Sequence, residues 1–146
     1  MKIGDVMNVN ATRIRAGATV CQAVEVVAAS QATDLMVVDD ENNFMGVLSE
    51  GDLIRAALPR YEEILREGGS LTDALDMFID RGRGLAGQPI APLIIKDPLT
   101  VSPEDPVLKA ASTMISRQIH RLPVVSRGKL VGTVSRGDIC RAVLAG

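Results

Sequence analysis

At 146 residues and 47% hydrophobic content, the chain has the material for one ordinary domain with a real core, which excludes a disordered tail protein. Sixteen Lys and Arg face 18 Asp and Glu, for a net charge of −2, and no block of like charges marks a nucleic-acid or anionic-membrane binder. No apolar run approaches the length of a membrane span.

The first residues, MKIGDVMNVNATRIR, lack the apolar stretch and small-residue cleavage site of a signal peptide, so a cytoplasmic location is expected. A short strand is expected near Arg13–Arg15. Thr19 opens an apolar series, Val20, Ala23, Val24, Val27 and Ala28, spaced as one face of an amphipathic helix. Leu35–Val38, a polar turn at Asp39–Asn43 and Phe44–Leu48 read as a hairpin, followed by a helix over Asp52–Leu58. Tyr61–Arg66 suggests a short helix stopped by Gly68-Gly69. Ser70-x-x-Asp73 resembles a capping box opening another helix, with Leu71, Leu75, Phe78 and Ile79 on one face that should dock on something apolar. Gly82, Gly84 and Gly87 read as a flexible lead into the second half. There a strand near Leu99–Ser102 precedes a helix carrying Val107, Ala110, Ala111, Met114 and Ile115. A hairpin (Leu122–Val125, turn Ser126–Lys129, Leu130–Val134) and a helix over Asp138–Leu144 complete the chain. Cys21 and Cys140 are far apart, without C-x-x-C spacing, and are expected to be buried free thiols in apolar helices.

The two halves repeat. "MGVLSEGDL" at 45–53 matches "VGTVSRGDI" at 131–139, and the correspondence runs back through Leu35–Val38 on Leu122–Val125, Ala23 on Ala110, and Ile3–Met7 on Ile90–Ile94. Such self-similarity means one supersecondary unit used twice. The expected fold is α/β: two β-α-β-β-α units, 1–58 and 90–146, packed through their sheets with pseudo-twofold symmetry. A helical insertion, 59–89, lies between them. Neither unit is large enough to cover its own sheet, so the two should share a core.

Ser49-x-x-Asp52 and Ser135-x-x-Asp138 directly precede helices and admit two readings. Each serine can cap the first turn while the aspartate favours the positive end of the helix dipole. Alternatively, the exposed amides can receive an anion, with the carboxylate accepting hydrogen bonds from a vicinal diol such as ribose. The second unit adds "QIHRLPVV", where His120 and Arg121 offer adjacent cationic donors between helix and strand. Their first-unit equivalents are Thr33 and Asp34, a poorer setting for phosphate.

These residues carry a resemblance. The stretch "PLTVSPEDPVLKAASTMISRQIHRLPVVSRGKLVGTVSRGDICRAVL", with its looser counterpart at 14–55, resembles the tandem CBS-domain pair, or Bateman module, as found in stand-alone prokaryotic CBS proteins. The resemblance implies two clefts related by a pseudo-twofold axis, taking adenine nucleotides such as AMP, ADP or ATP. In the primary site it places Asp138 on the ribose, Ser135 and Arg136 near the phosphates, and His120 with Arg121 neutralising them. Thr100, Val101 and Val134 would line the base pocket. A weaker secondary site would hold Arg13, Ile14, Ser49 and Asp52. The expected function is a nucleotide sensor without chemistry, with no catalytic residues, no metal and no catalytic cofactor. A homodimer and an unidentified effector protein are the expected macromolecular partners. The alternatives are a ligand-free dimerisation scaffold or a binder of NAD(H) or S-adenosylmethionine. An enzyme is the weakest reading, because the single histidine has no nucleophile or carboxylate partner at a supporting spacing.

Overall fold

In the computed structural model, which describes residues 1–145, each unit is built around a β-hairpin. The first unit runs α1 (Ile3–Val6), β1 (Arg13–Arg15), α2 (Val20–Ser30), β2 (Asp34–Val38), β3 (Phe44–Ser49) and α3 (Glu50–Ala57). The insertion is α4 (Tyr61–Arg66) and α5 (Leu71–Leu85). A 3-10 turn at Ala91–Leu93 then leads to α6 (Val107–Arg117), β4 (Arg121–Ser126), β5 (Lys129–Ser135) and α7 (Arg136–Ile139), which loosens into a π-helical turn at Cys140–Leu144.

The central strand β2 pairs parallel with β1 and antiparallel with β3. Its residues alternate between two covered faces. Leu35 and Val37 join Ile14, Ala23 and Leu48 in a first core under α2, while Met36 and Val38 join Val47 and Leu130 in a core shared between the units. Burial on both sides explains why β2 reads as a continuous apolar run rather than a polar–apolar alternation. In the second unit, Leu122, Val124 and Val134 pack with Ala110 and Met114 of α6. The tips of the two hairpins are tied directly: Phe44 N donates to Gly128 O at 2.8 Å, and Asn42 Nδ2 donates to Leu130 O at 2.8 Å. Arg127 and Gly128 both take positive φ, 52° and 78°, as a tight two-residue hairpin turn requires.

The peptides leading into the units are exchanged. Ile3 is fully buried in the second core, and Ile90 is fully buried in the first. Ile3 N donates to Asp105 O (2.8 Å) and Asn8 bridges to Thr133, while Ile90 N donates to Ala18 O (3.0 Å) and Ile95 bridges to Val47. These crossings explain the first glycine in each repeated nonapeptide, Gly46 and Gly132. A Cβ on Gly46 would stand 2.3 Å from Ile95 O, and one on Gly132 would stand 2.7 Å from Asn8 O. Each hairpin therefore keeps a bare backbone where the other half's peptide passes over it.

Several expectations are corrected. The strand near Leu99–Ser102 is only a single parallel bridge, Val101 to Val124, because Pro98 and Pro103 bracket it and proline supplies no ladder donor. The closing helices start at Glu50 and Arg136 rather than at the aspartates, since each serine is itself the N-cap. Gly82 and Gly84 lie within α5, where a Cβ would meet nothing within 4 Å. The apolar face of α5 is only partly docked: Leu71, Leu75 and Ile79 stay exposed while Phe78 is half-buried. Ile115 of α6 and Val24 of α2 are exposed too. Cys21 and Cys140 are both exposed free thiols, since each sits on the outward side of its helix.

Candidate functional site

The open ends of the two hairpins bring most of the candidate residues together. Asp34 opposes Ser49 at one end, and Arg121 opposes Ser135 at the other. Backbone bonds seal each corner, from Glu50 N to Thr33 O (2.9 Å) and from Arg136 N to His120 O (3.1 Å). The sequence thus gathers His120, Arg121, Ser135, Arg136 and Asp138 at one corner, and Thr33, Asp34, Ser49 and Asp52 at its counterpart.

Both serines cap their helices. Ser49 Oγ accepts from Asp52 N and Ser135 Oγ from Asp138 N, each at 3.1 Å, and each aspartate accepts in return from the serine backbone N–H. The two carboxylates differ in what remains free. Asp52 takes Ser49 Oγ (2.7 Å) on one oxygen and Arg55 (2.5 Å) on the other. Burial raises its pKa, but these bonds outweigh burial and hold it below the ordinary carboxylate value. Asp138 is buried, takes Ser135 N (2.8 Å) on Oδ2, and among the described residues has only the distant Arg141 (3.8 Å) near Oδ1.

Two clefts flank the hairpins. The first, about 160 Å³, is bounded by Asn8, Thr12, Gln31, Asp34, Arg121 and Thr133. The second, about 320 Å³, is bounded by Ser49, Asp34, His120 and Arg121, with Val47, Ile95, Pro98, Leu99 and Leu122 as an apolar wall. Its size reaches the lower end of the range for small-molecule sites, and its lining has the usual mixture of apolar surface and a few convergent polar groups. Arg121 donates from Nη1 to Thr133 Oγ1 at 3.0 Å. Burial raises the pKa of Asp34 from its ordinary value, and the Thr33 hydroxyl and Arg121 only partly oppose it.

Other candidates lie elsewhere. Arg136 donates from Nε to Ile119 O and from Nη2 to Met114 O, both at 3.0 Å, so it closes the C-terminal end of α6 and braces the loop carrying His120. Val101 and Val134 are packed into the second core, while Thr100 is exposed. Arg13 bonds Asn42, Ala11 O and Leu130 O, and with Ile14 it bounds a separate shallow hollow beside α2. The sequence reading missed that Ser49 of the first unit shares a cleft with His120 and Arg121 of the second. It also missed that Asp34 faces that same cleft. The repeat alignment matches Ser49 to Ser135 and Asp34 to Arg121, but it does not say which corner turns toward which. Among the described residues no group of His, Cys, Asp or Glu is placed to hold a metal ion, and no helix is long and apolar enough to cross a membrane.

Residues 3–59 and 90–145 each match the CBS domain. The chain belongs to the CBS-domain family. It is a tandem CBS pair, and the pseudo-equivalent corners and clefts are the two faces of that pair. The chloroplastic CBS domain-containing protein CBSX1 of Arabidopsis thaliana is 29% identical over 134 residues, which cover 86% of this CBS pair and 56% of CBSX1. An uncharacterized protein of Methanocaldococcus jannaschii is 25% identical over 139 residues, covering 95% of this pair and 41% of that protein. Among curated relatives the pair thus spans about half of the longer chain. The crystal structure of CBSX2 from Arabidopsis thaliana superposes with a TM-score of 0.77 at 28% identity, covering 99% of this chain and 94% of that one. The structure of CBSX2 in complex with AMP gives a TM-score of 0.74 at 27% identity, covering 99% and 96%.

Proposed function

We propose that this CBS pair is a regulatory module that binds an adenine nucleotide, AMP, ADP or ATP, in the larger cleft and performs no chemistry itself. The observation that carries this reading is the convergence of His120, Arg121 and the Ser49 corner on a cleft of about 320 Å³ with an apolar far wall. The cations suit a phosphate, and the aliphatic wall suits a base that has no aromatic ring to stack on. The complex of CBSX2 with AMP, which this chain resembles over nearly its whole length, supports the ligand class. Asp138, whose Oδ1 has no close partner among the described residues, is the freer of the two cap aspartates, but neither it nor Asp52 lines this cleft.

The test is a thermal scan and calorimetric titration of ligand-stripped protein with AMP, ADP, ATP, NADH and S-adenosylmethionine. A ligand at 100 times its Kd should add about 2.7 kcal/mol of stability. A response to none of them overturns the reading in favour of a ligand-free scaffold, and a response to NADH or S-adenosylmethionine alone reassigns the adenosyl ligand. Arg121→Ala should remove a charge-assisted bond to phosphate and weaken nucleotide binding by about 1.5–3 kcal/mol, and Asp138→Ala, at a residue outside the cleft lining, by less. Equal losses, measured on variants shown to be folded, would contradict this placement of the ligand.

A further inference from the structure

Asp34 and Arg121 occupy the same place in the repeat. Each is the first residue of its hairpin, opposite the capping serine, so the pseudo-twofold operation exchanges one for the other. Both line the first cleft and both line the second, and among the described residues no other is common to the two. They form a partition between the clefts, with one positive and one negative group where a symmetric repeat would put two alike.

The cations are unevenly shared. Among the described residues Arg121 is the only cation lining the first cleft, and it already donates to Thr133 Oγ1, which lines that cleft too. The second cleft has His120 and the same Arg121. A guanidinium offers a planar fork that grips one phosphate at a time, and a phosphate that engages it leaves the other cleft facing the Asp34 carboxylate. A second anion then meets two like charges at the shared wall, with its shared cation already engaged.

We propose that the two clefts share this wall and therefore take one anionic nucleotide per chain at a time, Arg121 serving whichever cleft is filled and Asp34 opposing entry to the other. The inference rests on the nucleotide-binding reading above and adds that the two clefts are negatively coupled. By linkage the penalty is the same whichever cleft fills first.

Equilibrium dialysis of ligand-stripped protein against AMP and against adenosine tests it, with Asp34→Asn alongside wild type. For AMP, wild type should bind one molecule per chain, with a second weaker by about tenfold or more. Adenosine, which lacks the phosphate, should show no such gap between its two binding events, and Asp34→Asn should narrow the gap for AMP. A thermal melt of Asp34→Asn confirms that the variant compared is folded. Two AMP molecules of equal affinity on wild type overturn the coupling while leaving nucleotide binding intact. A gap that persists with adenosine, or is unchanged in Asp34→Asn, overturns the electrostatic wall, since room in the smaller cleft then sets the limit. Binding of neither probe, nor of any other nucleotide, overturns the nucleotide reading and this inference with it.

Discussion

Asp34 and Asp52 lie close together at one hairpin corner, yet the fold treats their charges in opposite ways. Burial raises the pKa of Asp34; Asp52 and Glu50 add to the rise, and the Thr33 hydroxyl and Arg121 oppose it. The folded chain therefore holds a proton on Asp34 more tightly than the unfolded chain does. The stability contributed in this way is complete in acid and is lost as pH rises through the folded pKa, so that at neutral pH the ionised group is a cost. Asp34→Asn should accordingly stabilise the protein at pH 7, by on the order of 0.5 kcal/mol, and the gain should vanish once both states are protonated below about pH 3. For Asp52 the sign reverses: burial raises its pKa, but the Ser49 and Arg55 bonds more than offset this and depress it. Its contribution is present above the unfolded carboxylate pKa and lost as pH falls through the folded value. Asp52→Asn should destabilise at pH 7 and become neutral in acid. Urea denaturation of both variants at a series of pH values checks the two signs together. A destabilised Asp34→Asn at pH 7 would show that Arg121 outweighs burial at this corner.

At the level of elements, glycines of similar appearance in the sequence have unrelated roles. Gly132 lies in β5 beneath the peptide crossing from the N-terminus, and a methyl group there collides with the backbone oxygen of Asn8, which cannot swing aside as a side-chain tip would. Gly132→Ala should cost about 2–3 kcal/mol and loosen the Asn8–Thr133 pairing. Gly82 sits inside α5 with open space where its Cβ would be, so Gly82→Ala should stabilise by about 0.5–1 kcal/mol through helix propensity and reduced unfolded-state entropy. Thermal or urea melts of the pair give opposite shifts if this assignment is right. The contrast also shows what could be read from the sequence. Local devices were legible: the Ser49 and Ser135 capping boxes form as the residue types require, and Ser70 caps its helix although Asp73 does not complete the box expected there. What depended on a distant partner was not. The space above Gly132 is filled by Asn8 from the opposite end of the chain, and the exposure of Cys21, Cys140 and the Leu71–Leu75–Ile79 stripe depends on what fails to pack against those helices. The candidate site divides in the same way, with His120 and Arg121 legible as a cationic pair and the arrival of Ser49 and Asp34 beside them set by how the units face each other.

For the whole molecule, the exchange of leading peptides makes the repeat inseparable. A sequence unit is not a packing unit here, because the N-terminal peptide completes the second core and the peptide after the insertion completes the first. Ile3 and Ile90 are matched positions in the repeat, both with no exposed surface, and each is anchored by backbone bonds in the opposite half. Truncating either to alanine removes buried methylenes and leaves a cavity, at a cost of about 2–5 kcal/mol. The location of the damage is the informative quantity. Ile3→Ala should accelerate amide exchange first in α6, β4 and β5, although Ile3 opens the first unit in sequence. Ile90→Ala should do so first in β1, β2 and β3. If each peptide packed instead on the unit that follows it, the two patterns would be interchanged, so hydrogen-exchange mass spectrometry on the two variants decides between the arrangements. The same exchange stiffens the clefts, since Asn8 and Ile95, the residues that carry the crossings, also form part of their walls. A ligand that draws on either cleft therefore bears on both halves through backbone pairing, so that occupancy is registered across the whole length of the pair.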